Sequence, residues 1–111
     1  LCEGHPELFS IIDGIAQEAI WYDGTAFDDW NQKNGFDDEN QSSLVDYYIG
    51  LLDRYKAAGL PVFNCEYALK KAPDAYLKSS SKGYIPYCTR RSLSKLSTTP
   101  PPGMKKNKSI N

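Results

Sequence analysis

Histidine and methionine are almost missing from this 111-residue chain, with one of each, and cysteine occurs only three times. Cys2, Cys65 and Cys88 form an odd set without metal-type spacing, so no metal site is read from them. Cys65 and Cys88 read instead as buried free thiols on strands. His5 precedes Pro6 in a loop and is read as having no chemical role. A basic excess is missing too. The net charge is −1, and Lys105, Lys106 and Lys108 lie near the C-terminus; residues 1–96 hold 10 basic and 14 acidic groups, 10 − 14 = −4. That balance gives no footprint for nucleic acid. No stretch approaches the roughly 20 apolar residues of a membrane span. The chain starts at Leu1, with no charged segment leading into an apolar one, so no signal peptide is visible. The expectation is a piece of something longer.

What is present alternates. Pro6 to Asp13 fits a short helical turn leading into a first strand, near 14–20. Asp23 to Asn40 is a long acidic loop with Phe27, Trp30 and Phe36 inside it, read mainly as a solvated loop that its aromatics keep packed. Leu44, Tyr47, Tyr48, Leu51, Leu52 and Tyr55 recur at helical spacing and predict the longest helix, near 41–58. Ser42 or Ser43 would cap its start, and Gly59 would end it. Leu60 to Tyr67 is a near-continuous apolar strand, as expected when both faces are covered. A shorter helix is predicted over Pro73 to Ser80, closed by Gly83, then a third strand over 84–88 despite Pro86. The order predicts an α/β fold with parallel strands and crossover helices. Residues 1–96 form the folded part; the Pro-, Lys- and Ser-rich 97–111 is read as a disordered tail.

Two strands close in carboxylates beside aromatics: Gly14-Ile15-Ala16-Gln17-Glu18 before Trp21-Tyr22-Asp23, and Val62-Phe63-Asn64-Cys65-Glu66-Tyr67. Alternation along a strand sets Gly14, Ala16 and Glu18 on one face, leaving room around the acid. Acids that move protons and rings that lie against sugars are what carbohydrate cleavage needs. Neighbouring strands lie about 4.8 Å apart, so Glu18 and Glu66 are expected to project from the same end and side of the sheet. Both are candidate catalytic acids; Glu66 reads equally as the group that holds a cationic amino sugar. Asp23 reads as a substrate ligand or as a turn residue before Gly24. Trp21, Tyr22, Tyr67 and Tyr87 read as sugar-contacting rings or as ordinary core. Of Arg90 and Arg91, one is expected to tie the strand ends together and the other to face solvent.

Asp13-Gly14-Ile15-Ala16-Gln17-Glu18, Val62-Phe63-Asn64-Cys65-Glu66-Tyr67-Ala68 and Gly83-Tyr84-Ile85-Pro86-Tyr87-Cys88-Thr89-Arg90-Arg91 together resemble the closing third of glycoside hydrolase family 114, the endo-α-1,4-polygalactosaminidase-like family. The similarity spans about residues 6 to 96. It implies a (β/α)₈ TIM-type barrel, with this chain supplying the last three strands and the remainder of the barrel lying upstream of Leu1. It also implies an acid pair: a Glu on a late strand, matched by Glu18, and an Asp on an earlier strand with no position here.

The function expected is that of a glycoside hydrolase acting on α-1,4-linked galactosamine polymers, with a polysaccharide or amino-sugar oligosaccharide as partner, no cofactor and an extracellular parent. A non-catalytic carbohydrate-binding remnant and a truncated fragment without independent function are the alternatives. Two sequons, Asn40-Gln41-Ser42 and Asn107-Lys108-Ser109, permit glycosylation in a secreted eukaryotic parent.

Overall fold

The computed structural model describes residues 4–27, 36–94 and 96–97. After a 3-10 turn at Pro6–Ser10 come β1 (Ile15–Asp23), α1 (Ser42–Ala57), β2 (Val62–Tyr67), α2 (Ala72–Ser81) and β3 (Ile85–Cys88). The strands form one sheet in the order β1-β2-β3, with both pairings parallel. This is the α/β alternation the sequence predicts. The expected tail at 97–111 lies outside the described residues except for Ser97, as do Trp30 and most of the centre of the acidic loop.

Both helices lie on one face of the sheet. Val62, Asn64 and Glu66 of β2 and Pro86 and Cys88 of β3 point into that layer and are buried. They meet Leu52 and Tyr55 of α1 and Ala72, Ala75 and Tyr76 of α2. On the other face Ala16, Glu18, Phe63 and Ile85 are exposed, Phe63 at 46% and Ile85 at 48%. The expectation that the second strand is covered on both sides therefore fails. Its apolar run is continuous, yet only alternate residues find a helix. Pro86 sits on edge strand β3, where a missing N–H costs least.

The helical stripe is also rotated from the expected one. Leu44 and Tyr47 are exposed, while Val45, Tyr48 and Ile49 pack against Leu52 and Tyr55. Neither serine caps α1: the N-cap is Gln41, with no side-chain cap. Gly59 (φ +83°) and Gly83 (φ +76°) follow the two helices in left-handed conformations, as expected.

The two ends of the acidic loop zip together. Asp23 N–H donates to Asp38 O at 2.7 Å, Thr25 N–H to Phe36 O at 2.8 Å, and Asn40 N–H to Trp21 O at 2.9 Å. Asp37 is half-buried and engaged: its carboxylate accepts Leu69 N–H at 3.0 Å and Lys71 N–H at 2.7 Å, fastening the loop to the start of α2. From the other side Arg91 N–H donates to Ala26 O and Ser92 N–H to Phe27 O, each at 2.9 Å. Gly24 N–H donates to Tyr67 O at 2.8 Å, an approach so close that a Cβ on residue 24 would collide with that carbonyl.

Two glycines should therefore respond oppositely to alanine. Gly24→Ala forces backbone apart and should cost about 1–3 kcal/mol. Gly50 lies inside α1 with open space where a Cβ would go, so Gly50→Ala should add about 0.5–1 kcal/mol. Urea midpoints of the two variants check both signs; equal shifts would contradict the packing around Gly24.

Candidate functional site

Glu18 is the last residue of β1 in register with β2 before the pairing breaks, and it lies opposite Cys65. Cys65 lies in turn opposite Tyr87, so Glu18, Cys65 and Tyr87 make one row across the open face. The next paired position joins Asp23 to Tyr67. From Glu18 to Asp23 is five residues and from Cys65 to Tyr67 only two, so β1 carries three extra (5 − 2). The surplus forms a bulge that starts at Ala19, the sole non-glycine with positive φ among the described residues (+49°). It brings Asp23 back beside β2, next to Tyr67.

Tyr67 then links the two acids. Its hydroxyl donates to Glu18 Oε1 at 2.5 Å. Burial, and after it the bond to Glu18, raises the Tyr67 pKa, which keeps the hydroxyl protonated as the donor. The Arg91 guanidinium stacks on the Tyr67 ring at 4.2 Å from its centroid, pairs with Asp23, and donates to Gly24 O at 2.7 Å. Asn40 closes the opposite wall, its amide donating to Ala19 O at 2.7 Å and Ile20 O at 2.9 Å. These side chains line a cleft of about 240 Å³ at the C-terminal ends of the strands. The first sequon thus falls on an asparagine whose amide is already engaged.

Of the residues predicted for the site, Glu18, Asp23 and Tyr67 meet in this cleft. Glu66 does not. Glu18 is in register with Cys65, so Glu66, one residue on, faces the helix layer, and the expectation of two carboxylates on one side is overturned. Glu66 is fully buried. Its carboxylate accepts Ile20 N–H at 2.6 Å, Trp21 N–H at 3.1 Å, Tyr22 N–H at 2.8 Å and the Asn64 amide at 2.8 Å. Burial pushes its pKa up, and the Asn64 amide and the three backbone donors pull against that.

Trp21 and Tyr22 are likewise turned to α2, where they serve as core. Trp21 Nε1 donates to Ser79 Oγ at 2.7 Å, and Ser79 Oγ donates to Asn64 Oδ1 at 2.5 Å. Tyr22 Oη donates to Asp74 at 2.6 Å. Tyr87 stays on the open face but two strands from Glu18, lining an apolar hollow of about 340 Å³ with Cys65, Leu93 and Leu96. Its hydroxyl accepts Ser97 N–H at 2.6 Å. Cys65 is half-buried on that face, and Cys88 is buried on the other. Arg91 is the arginine that ties the strand ends together. Arg90 does not face solvent as expected: it is buried at 5% exposure and donates to Ser94.

Compared with family models, with curated proteins and with solved structures, the chain gives no match in any of the three. The described residues contain no group of three His, Cys, Asp or Glu arranged to hold a metal ion, and no helix among them is long and apolar enough to cross a membrane.

Sequence reasoning missed Asn40, Asn64 and Asp37 as organisers of the site. Asn64 carried a usable signal: a polar amide inside an apolar strand needs a partner, and its parity with Glu66 points both into the same layer.

The Tyr22–Asp74 contact makes an acid-sensitive tie. The Tyr22 hydroxyl and then the Lys78 ammonium, 2.9 Å away, hold the Asp74 carboxyl below its ordinary value of 3.8. A lowered folded pKa means the contribution is complete above the ordinary value and is lost as pH falls through the folded one. Asp74→Asn should therefore lower the urea midpoint at pH 7, and the gap to the parent chain should close below about pH 4. A gap that stays constant down to pH 2 would show that Asp74 contributes nothing through its charge.

Proposed function

We propose that this chain supplies the last three strands of a (β/α)₈-type glycoside hydrolase, acting on α-1,4-linked galactosamine polymers in a secreted parent protein, with Glu18 as its proton-transferring acid. The observation that carries the reading is the Glu18–Tyr67–Asp23 cleft at the C-terminal ends of three parallel strands, the end at which barrel enzymes work. The exposed face carrying Phe63 and Ile85, and the outer edges of β3 and of β1 over Ile15 to Glu18, which meet no further strand among the described residues, fit a sheet that further strands complete.

In this reading Glu18 donates its proton to the leaving glycosidic oxygen and recovers it from water. Tyr67, fixed by the Arg91 stack, sets the direction of the Glu18 carboxyl. Asp23 offers negative charge to the ammonium of an amino sugar, in competition with Arg91. The second carboxyl comes from an earlier strand of the parent, because Glu66 faces the helices. A binding module without turnover is the second reading, favoured by the pairing of Asp23, the other acid of the cleft, with Arg91.

Reducing-end release from an α-1,4-galactosamine polymer tests this. The 111-residue chain alone should give none. A longer parent should turn over, and Glu18→Gln should lower its rate by about 10²–10⁴-fold, since the amide keeps size and hydrogen bonding but cannot supply the proton. Full activity in Glu18→Gln removes Glu18 from the mechanism, and binding without turnover by the parent selects the second reading.

A further inference from the structure

We infer that Glu66 is the positioning residue of the Glu18 cleft, its carboxylate standing in for the strand partner that the β1 bulge lacks. The three surplus residues of β1 cannot pair with β2, so backbone N–H groups in the bulge have no ladder acceptor. Those of Ile20, Trp21 and Tyr22 point into the helix layer, and all three residues are buried. Glu66 takes all three.

The opposite side of the same segment is held by Asn40, through Ala19 O, Ile20 O and, by its own N–H, Trp21 O. The bulge is thus gripped from both sides. Its size sets the distance along the chain from Glu18 to Asp23, and therefore whether both reach Tyr67. Glu66 is itself locked: Asn64 donates to it, Ser79 donates to Asn64, and Trp21 Nε1 donates to Ser79, so the chain of bonds returns to the bulge. An acid in this position touches no substrate and acts only through the backbone it holds. Phe or Leu here would strand three buried N–H groups, and Gln would set an NH₂ against at least one of them.

The role rests on the proposed function only for its catalytic consequence, so the test has two independent arms. In the first, the amide proton shifts of Ile20, Trp21 and Tyr22 are followed with pH by NMR in the unaltered 111-residue chain. They should move together with one midpoint, above the ordinary carboxylate range, as their shared acceptor protonates. The same midpoint should persist in Glu18→Gln, which excludes Glu18 as its source. The neighbouring thiols of Cys65 and Cys88 are raised by burial, away from this range. In Glu66→Gln the common titration should vanish and the Tyr67–Glu18 contact should weaken, with Glu66→Asp restoring part of both. Amides that titrate separately or not at all overturn the inference, whether or not any variant folds. So does a Glu66→Gln chain with unchanged amide shifts.

In the second arm, Glu66→Gln in a parent that turns over should lower kcat by about 10²-fold with little change in KM, as expected for a displaced proton donor. A rise in KM alone would overturn the positioning role. A parent with no turnover at all defeats the proposed function and leaves the NMR arm standing.

Discussion

The structure depends on where the backbone hydrogen bonds of one irregular segment go. Parallel pairing between β1 and β2 runs in step through Glu18 and Cys65 and then loses step by three residues. An unpaired buried N–H costs on the order of 1–3 kcal/mol, so three of them would outweigh most of what a small sheet gains. The segment persists because a single carboxylate reaches all three. Everything that makes the cleft follows: the positive φ at Ala19, the return of Asp23 to β2, and the pairing of loop residues 36–40 with 21–25. Gly24 completes the arrangement, since only a residue without Cβ lets the chain pass against the Tyr67 carbonyl.

The two faces of the sheet differ in kind. The helix side is buried and holds a closed polar chain, Trp21–Ser79–Asn64–Glu66, in which every member has a partner. The open side carries Ala16, Glu18, Phe63, Cys65, Ile85 and Tyr87 in two rows. A face built to meet water would read as polar; this one is a mixture of small, apolar and acidic side chains. Parallel sheets ordinarily bury both faces. The composition of the open face suits the enclosed interior that the proposed barrel would give it.

Much of the fold was legible. Alternation of apolar strands with a periodic helix predicts three parallel strands, and Gly59 and Gly83 mark helix ends because no other residue takes a left-handed turn so cheaply. The errors at the strand ends share one cause. Parity along a strand says that Val62, Asn64 and Glu66 share a face, but which residue of β1 lies opposite Cys65 is a matter of register, and register is set by tertiary contacts. A one-residue difference exchanges faces, and that was enough to separate Glu66 from Glu18. The same limit misdirected Trp21 and Tyr22: beyond a bulge, alternation no longer counts from the start of the strand. In α1, Leu44 and Tyr47 are as apolar as Val45 and Ile49, and only the angle at which the helix meets β1 and β2 chooses between the two stripes.

The two glutamates show how environment divides one chemistry into two roles. Glu18 is exposed, with a single hydroxyl donor on one oxygen, so the rest of its carboxyl stays open to a ligand. Glu66 has no exposed surface, and both oxygens are committed to four donors, three of them backbone. A general acid must come within hydrogen-bond reach of the atom it serves. No substrate atom can approach Glu66 without displacing the bulge that forms the cleft. The same side chain at a strand end is therefore open to a ligand in one register and part of the backbone's hydrogen bonding in the other. Register makes that choice, and Asn64, itself held by Ser79, binds Glu66 on the helix side.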